Sequence, residues 1–287
     1  MARQQSLGVR SFGLTDRGLR RSTNEDQFLI AELTKTMTVS QTSLEGQSLL
    51  AGHDRGHLFL VADGMGGHNA GEQASALAVA VIEQFTLDTL KWFLGGDERG
   101  PDAPAKAFER AVHQADRAIV DAAADRPDLQ GMGTTLTLAY AVDDRLFVLH
   151  VGDSRAYLFR DGTLRQLTED HTLVSEMVRR GELAPEQSSQ HRLRHVITNV
   201  VGGPQAGVRA DTHTLDVQAD DTLLLCTDGL TDMLSVDEIV AMLASGSGAQ
   251  SICEQLIAGA NARGGHDNVT AIVAQFGGEG ATPPLSG

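Results

Sequence analysis

Four aspartates stand at the edges of apolar runs: Asp63 in HLFLVADGMGG, Asp153 in RLFVLHVGDSR, Asp228 in TLLLCTDGLTD and Asp267 in GGHDNVTAIV. An apolar run leads into the first three and follows the fourth. Glycine beside Asp63, Asp153 and Asp228 lets the backbone turn sharply where the carboxylate is presented. One such aspartate is a turn former. Four in one chain describe strands whose ends converge into a carboxylate cluster. Carboxylates held close repel, and burying them is costly unless a cation neutralises them. An all-oxygen donor set suits a hard divalent ion, Mg²⁺ or Mn²⁺. The chain therefore reads as a metal-dependent enzyme.

The elements that must position these residues follow from the hydrophobic pattern. GVRSFGLTDRG reads as a first strand and turn, residues 26–33 as a second strand, and 57–63 as a buried strand. The polar stretch 34–57 between them reads as a long hairpin connection. Residues 71–90 and 104–125 carry apolar residues at helical spacing, with Pro104 at the start of the second helix. A meander follows, with hairpin-type turns at Asp143-Asp144 and Asp161-Gly162. Residues 170–210 switch to short helical patterns rich in Arg and His. TLLLCTD (222–228) returns to strand, VDEIVAMLA and AQSICEQLIAGANARG are helices, and NVTAIVAQF (268–276) is a last strand. The Gly/Pro-rich residues 277–287 have nothing to bury and are expected to be disordered. The acidic strand ends span nearly the whole chain, which favours one domain of layered α/β architecture with mainly antiparallel sheets.

Composition narrows the partners. A formal net charge of −15 argues against nucleic acid or an anionic membrane as the main partner. Cys226 and Cys253 lack metal-ligand spacing and read as buried thiols, which fits a reducing cytoplasm. The start, MARQQSLGVR, has no apolar h-region, and the longest apolar runs fall short of a membrane span.

Seven strings in series resemble the type-2C (PPM) metal-dependent protein serine/threonine phosphatases of bacterial type. They are RRSTNEDQF (20–28), VADGMGGHNAGEQAS (61–75), GMGTTLTLA (131–139), VGDSRAYLFRDG (151–162), LTEDHTLV (167–174), LLLCTDGLTDML (223–234) and GGHDNVTAIV (264–273). The resemblance covers residues 10–276 and implies an α-β-β-α sandwich, two packed antiparallel sheets flanked by helices, with a flap at about 170–210. It implies a binuclear Mn²⁺/Mg²⁺ centre at one end of the sandwich. Asp63 would bridge both ions, the Gly64 carbonyl would be a ligand, and Asp228 and Asp267 would complete the set. Asp153 would share a third, weaker ion with Asp228. Glu25 and Asp26 would hold metal-bound waters, and Arg21, four residues before Glu25, would grip the substrate phosphate. The implied function is hydrolysis of phosphoserine and phosphothreonine in proteins. The implied partners are a bacterial-type Ser/Thr kinase and its substrates.

The chemistry is consistent on its own terms. Two cations sharing a carboxylate lower the pKa of a water held between them, and the resulting hydroxide attacks phosphorus in line. Cations and an arginine offset charge on the phosphoryl oxygens, and the planar fork of Arg matches phosphate better than Lys does. No C-x₅-R loop for a covalent nucleophile is present, and Gly64, Gly66 and Gly67 fit neither a P-loop nor a Rossmann spacing.

Several residues admit a second reading. Asp153 could cap a hairpin with its carboxylate on Arg155. Arg20 competes with Arg21. Met65 stands where the animal branch of the family has a histidine, and a thioether cannot donate a proton. His68 in GMGGH could supply it, or water could. The Thr134 and Thr135 hydroxyls could hydrogen-bond near the site or only pack. The basic stretch 179–195 is either a solvated helical face or part of a flap bordering the cleft. The whole chain has two rival readings: a phosphatase acting on an anti-sigma-antagonist-type regulator rather than on kinase substrates, and a catalytically inactive phosphoprotein-docking module of the same fold.

Overall fold

The computed structural model describes residues 7–35, 54–66, 70–93, 102–124, 126–188, 190–203 and 207–277. Strands β1 (Gly8–Asp16), β2 (Asp26–Lys35) and β3 (Asp54–Met65) precede the long helices α1 (Ala70–Phe93) and α2 (Ala103–Ala124). A meander follows: β4 (Gly133–Thr134), β5 (Leu136–Val142), β6 (Arg145–Val151), β7 (Arg155–Arg160) and β8 (Thr163–Gln166). The flap carries α3 (Leu173–Arg179) and α4 (Pro185–Ser188), and then come β9 (Val201–Gly202) and β10 (Asp211–Asp216). The chain closes with β11 (Thr222–Cys226), α5 (Asp228–Thr231), α6 (Val236–Leu243), α7 (Ala249–Ala262) and β12 (Val269–Gly277).

Two sheets result. One runs β1-β12-β11-β7-β8, the other β10-β6-β5-β3-β4-β9 with β2 also paired to β3. The pairings of these strands are antiparallel. Successive residues of a strand point to opposite faces, and here both faces are covered. Leu58, Leu60 and Ala62 pack under α1 and α2, with Ile82 and Phe108. Phe59 and Val61 point the other way, into the layer shared with Leu223, Leu225 and Ile272 of the second sheet. The outer face of that second sheet, with Leu224, Cys226 and Val273, lies against Ile252, Cys253 and Leu256 of α7. Burial on both faces explains why β3, β5, β11 and β12 read as nearly continuous apolar runs. Each fully buried Leu, Ile, Val or Phe contributes about 1.5–3 kcal/mol of transfer free energy. Cys226 and Cys253 are buried free thiols, as their sequence context implies.

The expected helices start and stop within a few residues of the observed ones. Both expected hairpin turns form, with positive φ at Asp143 (55°), Asp161 (49°) and Gly162 (76°). Strand β2 runs to Lys35 and β3 starts at Asp54, so both strands extend into the expected connection 34–57; residues 36–53 lie outside the described residues. So do His68 and residues 278–287 of the expected disordered tail. The expected turn at Asp161-Gly162 implies a strand after it, which is β8, but the sequence pattern sets no residue range for β8 or β10. Both are edge strands that keep much of their side-chain surface in solvent, so no apolar alternation marks them.

One pairing positions the site directly. β1 pairs with β12 from Gly8↔Gly277 to Asp16↔Val269, so the loop leaving β1 emerges beside Asp267.

Candidate active site

The carboxylates converge where strand ends of both sheets meet. Asp26 opens β2 and is the register partner of Asp63 near the end of β3. Asp153 follows β6, Asp228 opens α5 directly behind β11, and Asp267 precedes β12. Arg21, Glu25, Asp63, Gly64, Asp153, Asp228 and Asp267 line one cavity of about 530 Å³. Arg20 is not among the described residues lining it. Asp26 lies behind the wall, 2% exposed.

Threonines fix the strand ends. Thr227 Oγ1 and Thr270 Oγ1 donate to Asp26 Oδ2 at 2.8 and 2.7 Å. The Asp63 amide donates to Thr135 Oγ1 at 2.9 Å, and the Asp63 carbonyl accepts from Thr134 Oγ1 at 2.9 Å. Both Thr134 and Thr135 hydroxyls are thus engaged at the site, the first of the two readings open for them. Gly64 has no room for a side chain, since a Cβ would lie 2.1 Å from the Gly71 carbonyl oxygen at the start of α1.

The loop carrying Arg21 and Glu25 is tied down by Asn268. Its Nδ2 donates to the Arg17 and Thr23 carbonyls at 2.9 and 2.8 Å, and its Oδ1 accepts the Glu25 amide at 2.8 Å. Ser75 Oγ of α1 adds a bond to the Glu25 carbonyl at 2.6 Å. Arg21 then reaches Asp267 Oδ2 at 2.6 Å. That hydrogen bond, more than any other influence, raises the Arg21 pKa further. Sequence reading assigned Asn268 no role. Its bonding partners lie up to 251 positions away, which no local pattern signals.

The electrostatics are those of a cluster built for cations. Burial, with the charges of Asp228 and Asp267 adding to it, pushes Asp26 up to about 7 despite its two threonine bonds. Burial, followed by Asp267 and Asp232, pushes Asp228 up to about 7. Burial drives Asp63 well above the usual carboxylate range, with Asp26, Asp228, Asp153 and Asp267 all contributing. Asp153 moves the same way through burial and its neighbours Asp228 and Asp170. Burial also raises Glu25. Asp26 Oδ1, Asp153 Oδ1 and Asp228 Oδ1 are buried without a hydrogen-bond partner. Orphaned buried oxygens are rare in folded proteins because each carries a desolvation cost. Three of them around one cleft lined by several more carboxylates fit hard divalent ions.

Asp153 is not paired to Arg155. Asp170 takes that guanidinium in a fork, with Nε and Nη2 contacts of 2.9 and 2.6 Å, so the hairpin-cap pairing does not form. The basic stretch 179–195 divides. Arg179 and Arg180 pair at the surface with Glu169 and Glu176. Arg194 and His195 instead line the cleft. Arg194 lies 3.4 Å from Asp232, and His195 lies 3.6 Å from Asp232 and 4.0 Å from Asp228. His195, Asp228 and Asp232 offer ligand atoms within 4.8 Å of one another. Asp232 was missed in the sequence, although it falls one helical turn after Asp228, on the same face. Met65 faces the cleft with no proton to give.

Known proteins resemble this chain in sequence and fold. Residues 41–268 match the family model "Protein phosphatase 2C". The chain is 36% identical over 222 residues to the serine/threonine phosphatase stp of Listeria welshimeri, covering 77% of this chain and 85% of that protein. The crystal structure of the Mycobacterium tuberculosis serine/threonine phosphatase PstP/Ppp aligns with a TM-score of 0.75 at 35% identity, over 94% of this chain and 99% of that one. The catalytic domain of PstP in complex with two manganese ions aligns with a TM-score of 0.73 at 34% identity, over 95% of this chain and 100% of that one. These relatives are named as phosphatases, which does not favour an inactive docking module. The layered two-sheet fold, the acidic cleft and these likenesses agree: the chain belongs to the protein phosphatase 2C family and is a metal-dependent serine/threonine protein phosphatase.

Proposed function

We propose the following division of labour in the cleft. Asp63, the Gly64 carbonyl, Asp228 and Asp267 hold two divalent ions, Mn²⁺ or Mg²⁺. Glu25 and Asp26 act through waters, and Asp153 with Asp228 serves a third, weaker position. When bound, the ions supply a water of lowered pKa and positive charge against the phosphoryl oxygens.

The rest falls to the chain. Arg21 is oriented by a single bond to Asp267, so most of its N–H donors stay available for the phosphate. Its loop is pinned by Asn268, so the fork arrives preorganised. Hydrolysis joins a water oxygen to phosphorus and breaks the bond to the serine or threonine oxygen, which takes a proton. The proton comes from His68 or from water. No phosphorylated enzyme intermediate forms. We assign the catalytic domain to residues 10–276, supported by the pairing of β1 with β12. The substrates are proteins phosphorylated by a bacterial-type Ser/Thr kinase, and the kinase itself is among them. No helix among the described residues is long and apolar enough to cross a membrane. The two buried free thiols suit a cytoplasmic setting.

The observation that carries this reading is the set of three orphaned, buried carboxylate oxygens around one cleft. The test is hydrolysis of a phosphothreonine peptide after EDTA treatment. Activity should vanish and return with Mn²⁺ or Mg²⁺. Full turnover in excess chelator would overturn the assignment.

A further inference from the structure

Behind the cleft, at the root of the flap, lies a second polar cluster that the hydrolytic chemistry does not use. His150 and His171 are 0% and 3% exposed, with ring centroids 4.8 Å apart. Burying an imidazole is costly unless its nitrogens are bonded; His171 has partners on both, whereas His150 Nε2 is buried without one.

His171 is bonded to Gly152 in both directions. Its amide donates to the Gly152 carbonyl at 2.7 Å, and the Gly152 amide donates back to His171 Nδ1 at 3.1 Å. A backbone N–H can only donate, so Nδ1 is an acceptor and the ring proton sits on Nε2. That nitrogen faces Asp211 Oδ2 at 3.2 Å. A second donor reaches Nδ1 from the flap: Asn199 Nδ2, at 2.9 Å. Asn199 is held in this orientation by Arg209, whose carbonyl accepts from Nδ2 at 2.7 Å and whose amide donates to Oδ1 at 3.2 Å. The flap backbone hangs from the same place, with Thr198 N on the His171 carbonyl and Leu173 N on the Val196 carbonyl, both at 2.8 Å.

Gly152 is the residue before Asp153. Its φ is +106°, and a Cβ there would lie 2.5 Å from Thr135 Cγ2, so this turn accepts no side chain. The residue after Asp153 is held from the other histidine. Thr137 Oγ1 donates to the Ser154 carbonyl at 2.9 Å and lies 2.9 Å from His150 Nδ1. The hydroxyl proton is already given, so His150 Nδ1 donates. Both neighbours of Asp153 are therefore fixed from buried imidazoles. Only His171 also touches the flap.

We propose that His171 is a positioning residue whose acceptor Nδ1 joins the Asp153 turn to the root of the flap, so that the two segments hold or loosen together. Its effect on turnover rests on the role assigned above to Asp153; the mechanical coupling does not.

Asparagine and glutamine separate the two ring nitrogens. His171→Asn keeps an acceptor near the Nδ1 position, and His171→Gln keeps a donor near Nε2 toward Asp211 while losing that acceptor. Amide hydrogen exchange by mass spectrometry on the full chain reads the two segments, 150–154 and 194–200. Phosphopeptide kinetics run alongside. His171→Gln should speed exchange in both segments together and lower kcat by about tenfold, with KM changed less than about twofold. His171→Asn should restore slow exchange and most of the rate. Should His171→Gln fail to fold, Asn199→Ala tests the same link: it should speed exchange at 150–154, which Asn199 does not touch. Indistinguishable Asn and Gln variants, or loosening confined to one segment, would overturn the proposal. An inactive wild-type protein would sink the assignment of the cleft, yet the exchange results would still decide the coupling.

Discussion

Two loops each bring an arginine into the same cleft, and they are held in different ways. The loop between β1 and β2 presents Arg21 against Asp267 at 2.6 Å and is locked to β12 through three hydrogen bonds of Asn268. The flap presents Arg194 against Asp232 at 3.4 Å, with His195 at 3.6 and 4.0 Å from two carboxylates, and is tied mainly at its root. Short, charge-assisted bonds on a pinned loop make a fixed phosphate receptor. Both arginines are partly exposed, so what sets the flap pairs apart is their longer distance and, among the described residues, the lack of a pin like Asn268, and such long pairs are worth little individually. On the division of labour proposed above, Arg21 would meet what every substrate shares, and Arg194 would make contacts that can adjust from one substrate to another.

The largest expected effect breaks the fixed side. Charge-assisted hydrogen bonds of about 1.5–3 kcal/mol make Arg21→Ala raise KM for a phosphopeptide by roughly tenfold to a hundredfold. Arg20→Ala and Arg194→Ala should each change it by less than about threefold, the scale of an exposed ion pair. Equal losses for Arg21 and Arg194 would erase the distinction between the loops. Greater sensitivity at Arg20 would mean that the wrong arginine has been assigned.

A smaller effect should come from unpinning the same loop without touching a charge. Asn268→Ala leaves two carbonyls and one amide without their partner, at a cost of about 2–3 kcal/mol in chemical unfolding. It should also lower kcat and raise KM together, because Arg21 and Glu25 lose their common anchor. A variant with altered stability but wild-type kinetics would show that the loop keeps its shape unaided.

The last effect is one of pH. Asp26 and Asp228 are pushed up to about 7, above the range of about 4 expected in the unfolded chain. Between those values the folded, metal-free protein holds protons that the unfolded chain has released. Their contribution to stability is therefore present in acid and is lost as pH rises from about 4 through about 7. Metal ions would replace those protons. Metal-free protein should melt lower at about pH 7.5 than at about pH 5, and Mn²⁺ should raise Tm more at the higher pH. The opposite order of melting temperatures, or an equal metal effect at both pH values, would count against a cation-binding cluster.

How much of this was legible in the sequence depended on burial. Strands β3, β6, β11 and β12 are buried on both faces, and their apolar runs mark Asp63, Asp153, Asp228 and Asp267 at their ends. Strands β8 and β10 keep one edge and much of their surface in water, so they left no such trace. Asn268, Asp232 and His171 were each visible as letters within family-like strings, but their work depends on partners brought close only by the fold. Asn268 reaches back to the β1–β2 loop, and His171 reaches both Gly152 and Asn199. His195 ends the basic stretch 179–195, whose charge alone fits either a solvated face or a flap bordering the cleft. Only the folded chain shows it turned toward Asp228 and Asp232.

The central claim is that the converging strand-end aspartates are a divalent metal centre. Calorimetric titration of Mn²⁺ into metal-free protein, alongside the Asp63→Asn and Asp228→Asn variants, tests it most directly. Wild-type protein should bind two ions tightly, and each variant should lose tight binding while remaining folded by circular dichroism. Absence of saturable binding in the wild type, or an unchanged isotherm in the two variants, would contradict the account.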